Sequence, residues 1–97
     1  MNDKISLEKL HKYFSITTEA LEKAKAAIDS SRKAQADDFV DMASRYLEDA
    51  HYFYTKKKEV VLAFAALNYA HGWLDAGARI GLFKVKDNRL FTVDGEE

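Results

Sequence analysis

Four polar side chains punctuate an apolar stretch late in this sequence: Asn68, His71, Asp75 and Arg79. On a helix, residues four apart lie on neighbouring turns of one side, so His71 would sit beside Asp75, and Asp75 beside Arg79. An amide, an imidazole, a carboxylate and a guanidinium in one stripe have the chemistry to hold a small anion or to orient a small substrate. The same spacing also suits a plainer role. A helix needs a wet side, and an exposed Asp–Arg pair contributes only ~0–1 kcal/mol. Burial would raise the case for a site, because each unpartnered polar atom inside costs about 1–3 kcal/mol.

Other chemistry is thinly represented. A metal site needs three or four ligands, and His71 with Asp75 supplies two. His51 with Glu48 or Asp49 adds others only if those helix faces meet. With 3 histidines, no cysteine and no HExxH-type pattern, neither a metal nor a cofactor is expected. Arg45 and His51, with five residues between them, loosely match the arginine-to-histidine spacing of HEPN-type helical ribonucleases. There the pair would handle proton transfer and phosphate charge. The plainer reading pairs Arg45 with Asp41. Lys56, Lys57 and Lys58, joined by Lys84, Lys86 and Arg89, are candidate phosphate contacts, with Tyr52 and Tyr54 nearby. Lysines at a helix end more commonly offset its dipole and stay solvated. There is no glycine-rich phosphate loop and no GxSxG elbow.

The elements that must position these groups follow from composition and spacing. The 97 residues suit one domain, 1–97, with 47% hydrophobic and 32% charged side chains. Basic and acidic residues number 15 and 16, so no net field draws the chain to nucleic acid or anionic lipid. The longest apolar run, Val60 to Leu67, is too short to span a bilayer. The first residues lack a signal-peptide pattern, and a cytoplasmic protein is expected.

A first helix is expected over about 6–29, with Ser6 as its cap and Ile5 stapled on Leu10. Its seam is Leu7, Leu10, Phe14, Thr17, Leu21, Ala24 and Ile28. A polar break, 30–35, precedes a second helix over about 36–55. Asp37 and Asp38 suit its positive end, and its stripe reads Phe39, Val40, Ala43, Tyr46, Leu47, Ala50, Phe53 and Tyr54. A third helix over about 59–80 ends at Gly81. It is apolar around most of its circumference, which marks it as the central element. One face carries Ala63, Ala66, Ala70, Gly77 and Gly81, all small, and predicts a close neighbouring helix. Beyond it, 82–85 and 89–93 are β-prone around an Asp87-Asn88 turn signal, which predicts a hairpin over about 82–93.

The run from Asn68 through Tyr69-Ala70-His71-Gly72-Trp73-Leu74-Asp75-Ala76 to Gly77, then Arg79-Ile80-Gly81-Leu82-Phe83, resembles the signature of a family of short archaeal proteins. That family is known as domain of unknown function 357. Tyr52-Phe53-Tyr54 and Leu90-Phe91-Thr92-Val93 extend the likeness over nearly the whole chain. The resemblance implies an archaeal source and a compact helical fold, and it brings no catalytic residue. It also implies a glycine in the turn before the third helix, where this chain has Lys58.

The sequence therefore predicts an all-α, up-down-up three-helix bundle with a short C-terminal β-hairpin. The leading function is a non-enzymatic interaction module whose partner is another copy or another protein. A small-ligand-binding protein or enzyme subunit using Asn68, His71, Asp75 and Arg79 is the alternative, and an RNA-binding protein or HEPN-like ribonuclease comes third.

Overall fold

A computed structural model describes residues 6–86 and 90–91. Three helices carry the architecture: α1 over Leu7–Ala26, α2 over Lys33–Thr55 and α3 over Val60–Arg79. A single 3-10 turn, Ser30–Arg32, joins the first two. Ser6 caps α1 as its position implies, its hydroxyl accepting from the Lys9 N–H at 3.1 Å. Ile5, the expected staple, lies outside the described residues.

Side-chain contacts reveal the helix directions. Tyr13 meets Phe64 and Thr17 meets His71, so α1 and α3 run the same way. Phe39 meets Trp73 and Tyr46 meets Tyr69, so α2 runs against α3. The order is up, down, up. α3 packs most extensively on α2 and next on α1, while α1 and α2 touch least. The third helix is central, as its composition implies.

The core alternates leucines with alanines. Leu10, Leu21, Leu47, Leu67 and Leu74 fill it, and Ala20, Ala24, Ala43, Ala50, Ala63 and Ala70 line the helix contacts. Each buried leucine contributes roughly 1.5–3 kcal/mol. The alanines let backbones approach closely, which favours tight helix pairs. Three-helix packing covers α3 on two sides only. Val61, Leu62, Tyr69 and Ile80 therefore remain exposed, although the sequence reads as apolar nearly all round.

Helix ends show how the connections work. Asp29 accepts from the Ser31 N–H at 3.0 Å and the Ser31 hydroxyl at 2.8 Å, and this stabilises the 3-10 turn. The turn feeds straight into α2, which begins at Lys33, three residues before the expected start. At the far end of α3, Gly81 adopts φ +83°. Its N–H bonds to the Ala78 carbonyl and the Leu82 N–H to the Gly77 carbonyl, a Schellman closure. The Arg32 guanidinium adds a bond to the Ile80 carbonyl at 2.8 Å.

The expected hairpin over 82–93 is not seen among the described residues. Its turn at Asp87-Asn88 and most of its second arm lie outside the described residues. Its first arm pairs elsewhere: Phe83 forms an isolated antiparallel bridge with Ile28. Bonds from the Asp29 N–H to the Leu82 carbonyl and from the Lys84 N–H to the Ala27 carbonyl flank that bridge. The Phe83 ring lies against Gly77, and the backbone beside it runs along the chain leaving α1. Leu82, Phe83, Leu90 and Phe91 are all buried and close this end of the core.

Candidate functional site

The stripe on α3 becomes a cleft only when α1 is added. Asn68, His71, Gly72 and Asp75 form one wall, and Tyr13 and Ile16 form the other, around a volume of about 320 Å³. The spacing that places three of the four candidates together is the helical one read from the sequence. Arg79, one turn further along, is exposed and does not line the cleft.

His71 is the best-anchored member. Its Nε2 lies 2.6 Å from the Leu90 carbonyl oxygen, and its Nδ1 lies 3.4 Å from the Thr17 hydroxyl. A carbonyl only accepts, so Nε2 carries the proton and donates. In the neutral ring, Nδ1 then accepts from Thr17, whose side chain is buried. Both ring nitrogens are thus used in joining α1, α3 and the chain at Leu90. The Asp75 carboxylate stands 3.7 Å from Nε2, within reach of charge but too long for a hydrogen bond. Asn68 and Asp75 line the cleft beside the imidazole, together with Tyr13 and Ile16 of α1. A proton-transfer role for His71 would require it to give up Leu90.

The other candidates do not converge. Arg45 Nε is held by Asp41 at 2.9 Å, the pairing expected from spacing. The ring of His51 faces Phe14 at a centroid distance of 4.5 Å. Six residues along a helix is a rotation of 600°, so Arg45 and His51 point about 120° apart and form no common site. Lys56, Lys57 and Lys58 are exposed after α2. Lys84 and Lys86 follow α3, whose 20 residues separate the two lysine groups by about 30 Å. They do not form one phosphate surface, and Arg89 lies outside the described residues. Lys84 instead reaches Asp29 at 3.8 Å. Among the described residues, no three histidine, aspartate or glutamate side chains gather as metal ligands would.

Two features were not read from the sequence. One is the hydrogen bond between His11 Nε2 and the Tyr54 hydroxyl at 3.0 Å, which ties α1 to α2 across 43 positions and leaves no local signal. The other is a shallow apolar hollow beside the cleft. Tyr69, Gly72, Trp73 and Ala76 line it with Asn68, and it opens widely to solvent with a volume of about 320 Å³. A Cβ built on Gly72 meets nothing within 4 Å. Glycine inside a helix costs about 1 kcal/mol relative to alanine, and no contact among the described residues explains it here.

Among the described residues, no helix is long and apolar enough to cross a membrane. Residues 12–83 match a family model described as "Protein of unknown function (DUF357)". No curated protein and no solved structure matches the chain.

Proposed function

We propose that this chain, which belongs to the DUF357 family of unknown function, is a non-enzymatic interaction module that associates with itself through the outer face of α3. One observation carries the reading. Leu62, Tyr69 and Ile80 are 45%, 63% and 50% exposed on one side of α3, with Gly72 and Ala76 between them. Positions 62, 65, 69, 72, 76 and 80 hold no charged side chain, over about five helical turns. Contiguous exposed apolar surface of this kind favours a protein partner. The charge balance and the lack of cysteine suit a cytoplasmic module of this type.

The cleft of Asn68, His71 and Asp75 supports a second reading, a small polar ligand held beside α1. RNA binding through Lys56, Lys57 and Lys58 has less support, because Lys84 and Lys86 stand at the far end of α3.

Sedimentation velocity across micromolar concentrations tests the first reading. The wild-type chain shifts from monomer to dimer, and Tyr69→Glu stays monomeric with unchanged helix content. A wild-type chain that sediments as a monomer at every concentration, with no change at Tyr69→Glu, removes it.

A further inference from the structure

Resting on that self-association reading, we infer that the occupant of the α3 face is a second copy packed parallel about a two-fold axis, with the α1 edge of each chain against the α2 edge of the other. The seam of α3 has the spacing for such a pair. Leu62, Ala65, Tyr69, Gly72 and Ala76 alternate in steps of three and four, the repeat that keeps one stripe facing a partner helix. Small residues on either side of Tyr69 leave room for its ring. Spacing alone permits a parallel or an antiparallel partner.

The charged edges decide between them. On one side of the seam stands α1, where Lys9 and Lys12 are exposed beside Tyr13, and Lys9 lies over the Phe64 ring. On the other side stands α2, where Asp49 is exposed one turn from Tyr46, the residue stacked on Tyr69. Asp38 continues this acidic edge, and Arg45 on the same edge is already matched by Asp41. Because Tyr13 meets Phe64 and Tyr46 meets Tyr69, Lys12 and Asp49 flank nearly the same level of α3. A two-fold axis along α3 carries the basic edge of one chain onto the acidic edge of its partner at that level. An antiparallel pair would set α1 against α1 and α2 against α2, like charge against like on the acidic side.

The native chain has no cysteine, so single cysteines report the geometry directly. Positions 62 and 80 lie about 27 Å apart along α3. In the parallel pair, Leu62→Cys alone and Ile80→Cys alone each form a disulfide dimer under mild oxidation, and mixing the two adds little. Cross-linking only in the mixture shows an antiparallel pair and overturns the inference while leaving self-association standing. No cross-link in any sample, with a wild-type chain that sediments as a monomer, overturns both. Charge reversal gives a second readout. Lys12→Glu weakens dimerisation roughly tenfold, and adding Asp49→Lys in the same chain restores it. Equal or tighter association of Lys12→Glu contradicts the parallel arrangement.

Discussion

The Phe83 ring occupies the space where a side chain at Gly77 would stand: a Cβ built there lies 2.3 Å from Phe83 Cε2. Gly72, five residues earlier on the same helix, has open space instead. The two glycines predict opposite outcomes for one substitution. Gly77→Ala gains about 1 kcal/mol of helix propensity but must displace a buried ring, at a cost of about 1–3 kcal/mol. It should destabilise the chain and loosen the bridge between Phe83 and Ile28. Gly72→Ala should raise stability by up to about 1 kcal/mol under conditions that hold the chain monomeric. Urea unfolding of both variants checks the pair, and a stabilised Gly77→Ala would mean that Phe83 is not locked there.

Lys58 stands in the left-handed region at φ +57°. The Glu59 N–H just beyond it returns to the Phe53 carbonyl at 2.9 Å, closing the turn between α2 and α3. A residue with a Cβ is strained there by roughly 1–2 kcal/mol, a cost that glycine avoids. Lys58→Gly should therefore raise the unfolding free energy by about 1 kcal/mol after allowing for the looser unfolded chain. Lys58→Ala should change little, because it keeps the Cβ. Thermal melts that ranked alanine with glycine would point to the lysine charge as the cause.

That turn shows what the sequence does and does not disclose. The missing glycine was visible by resemblance alone, while the strain it leaves needed the backbone angle. The helices were legible because Leu10, Thr17 and Leu21, or Ala43, Leu47 and Ala50, repeat at the helical period and are buried together. The start of α2 was missed because the cap is on Asp29, which acts on the 3-10 turn rather than on the helix itself. The small face of α3 announced a close approach, yet at Gly77 the neighbour is the Phe83 ring and not another helix. The candidate site was half legible. Periodicity brought Asn68, His71 and Asp75 together, but Tyr13, Ile16, Thr17 and Leu90 reach them by tertiary packing that no local pattern encodes.

Asp29 makes stability depend on acid pH. Hydrogen bonds from the Ser31 hydroxyl and the Ser31 N–H hold its carboxyl below the ordinary value of 3.8, and Lys84 and Arg32 act in the same sense. A lowered native pKa means that the unfolded chain takes up the proton first as the pH falls. The contribution is therefore complete above the unfolded value and is lost as the pH drops through the native one. Asp29→Ala should melt below wild type at neutral pH, and the gap should narrow below about pH 4. A gap of constant size from pH 7 to pH 2 would show that the carboxylate charge has no part in it.

His71 separates a structural role from a ligand site. Its ring joins Thr17 to the Leu90 carbonyl, so His71→Ala leaves a buried hydroxyl and a carbonyl each short of a partner. The cost should be about 1–3 kcal/mol, and amide exchange near Leu90 and Phe91 should quicken. Asp75→Ala removes the carboxylate at 3.7 Å but leaves both bonds of the ring in place, so exchange near Leu90 should change much less. If the cleft takes a small polar ligand, Asp75→Ala abolishes the thermal shift that ligand produces, while its effect on the unliganded chain stays small. If His71→Ala and Asp75→Ala instead lower stability equally and both free the Leu90 segment, the carboxylate belongs to the same latch as the imidazole. The cleft would then be a by-product of holding the C-terminal chain against α1 and α3.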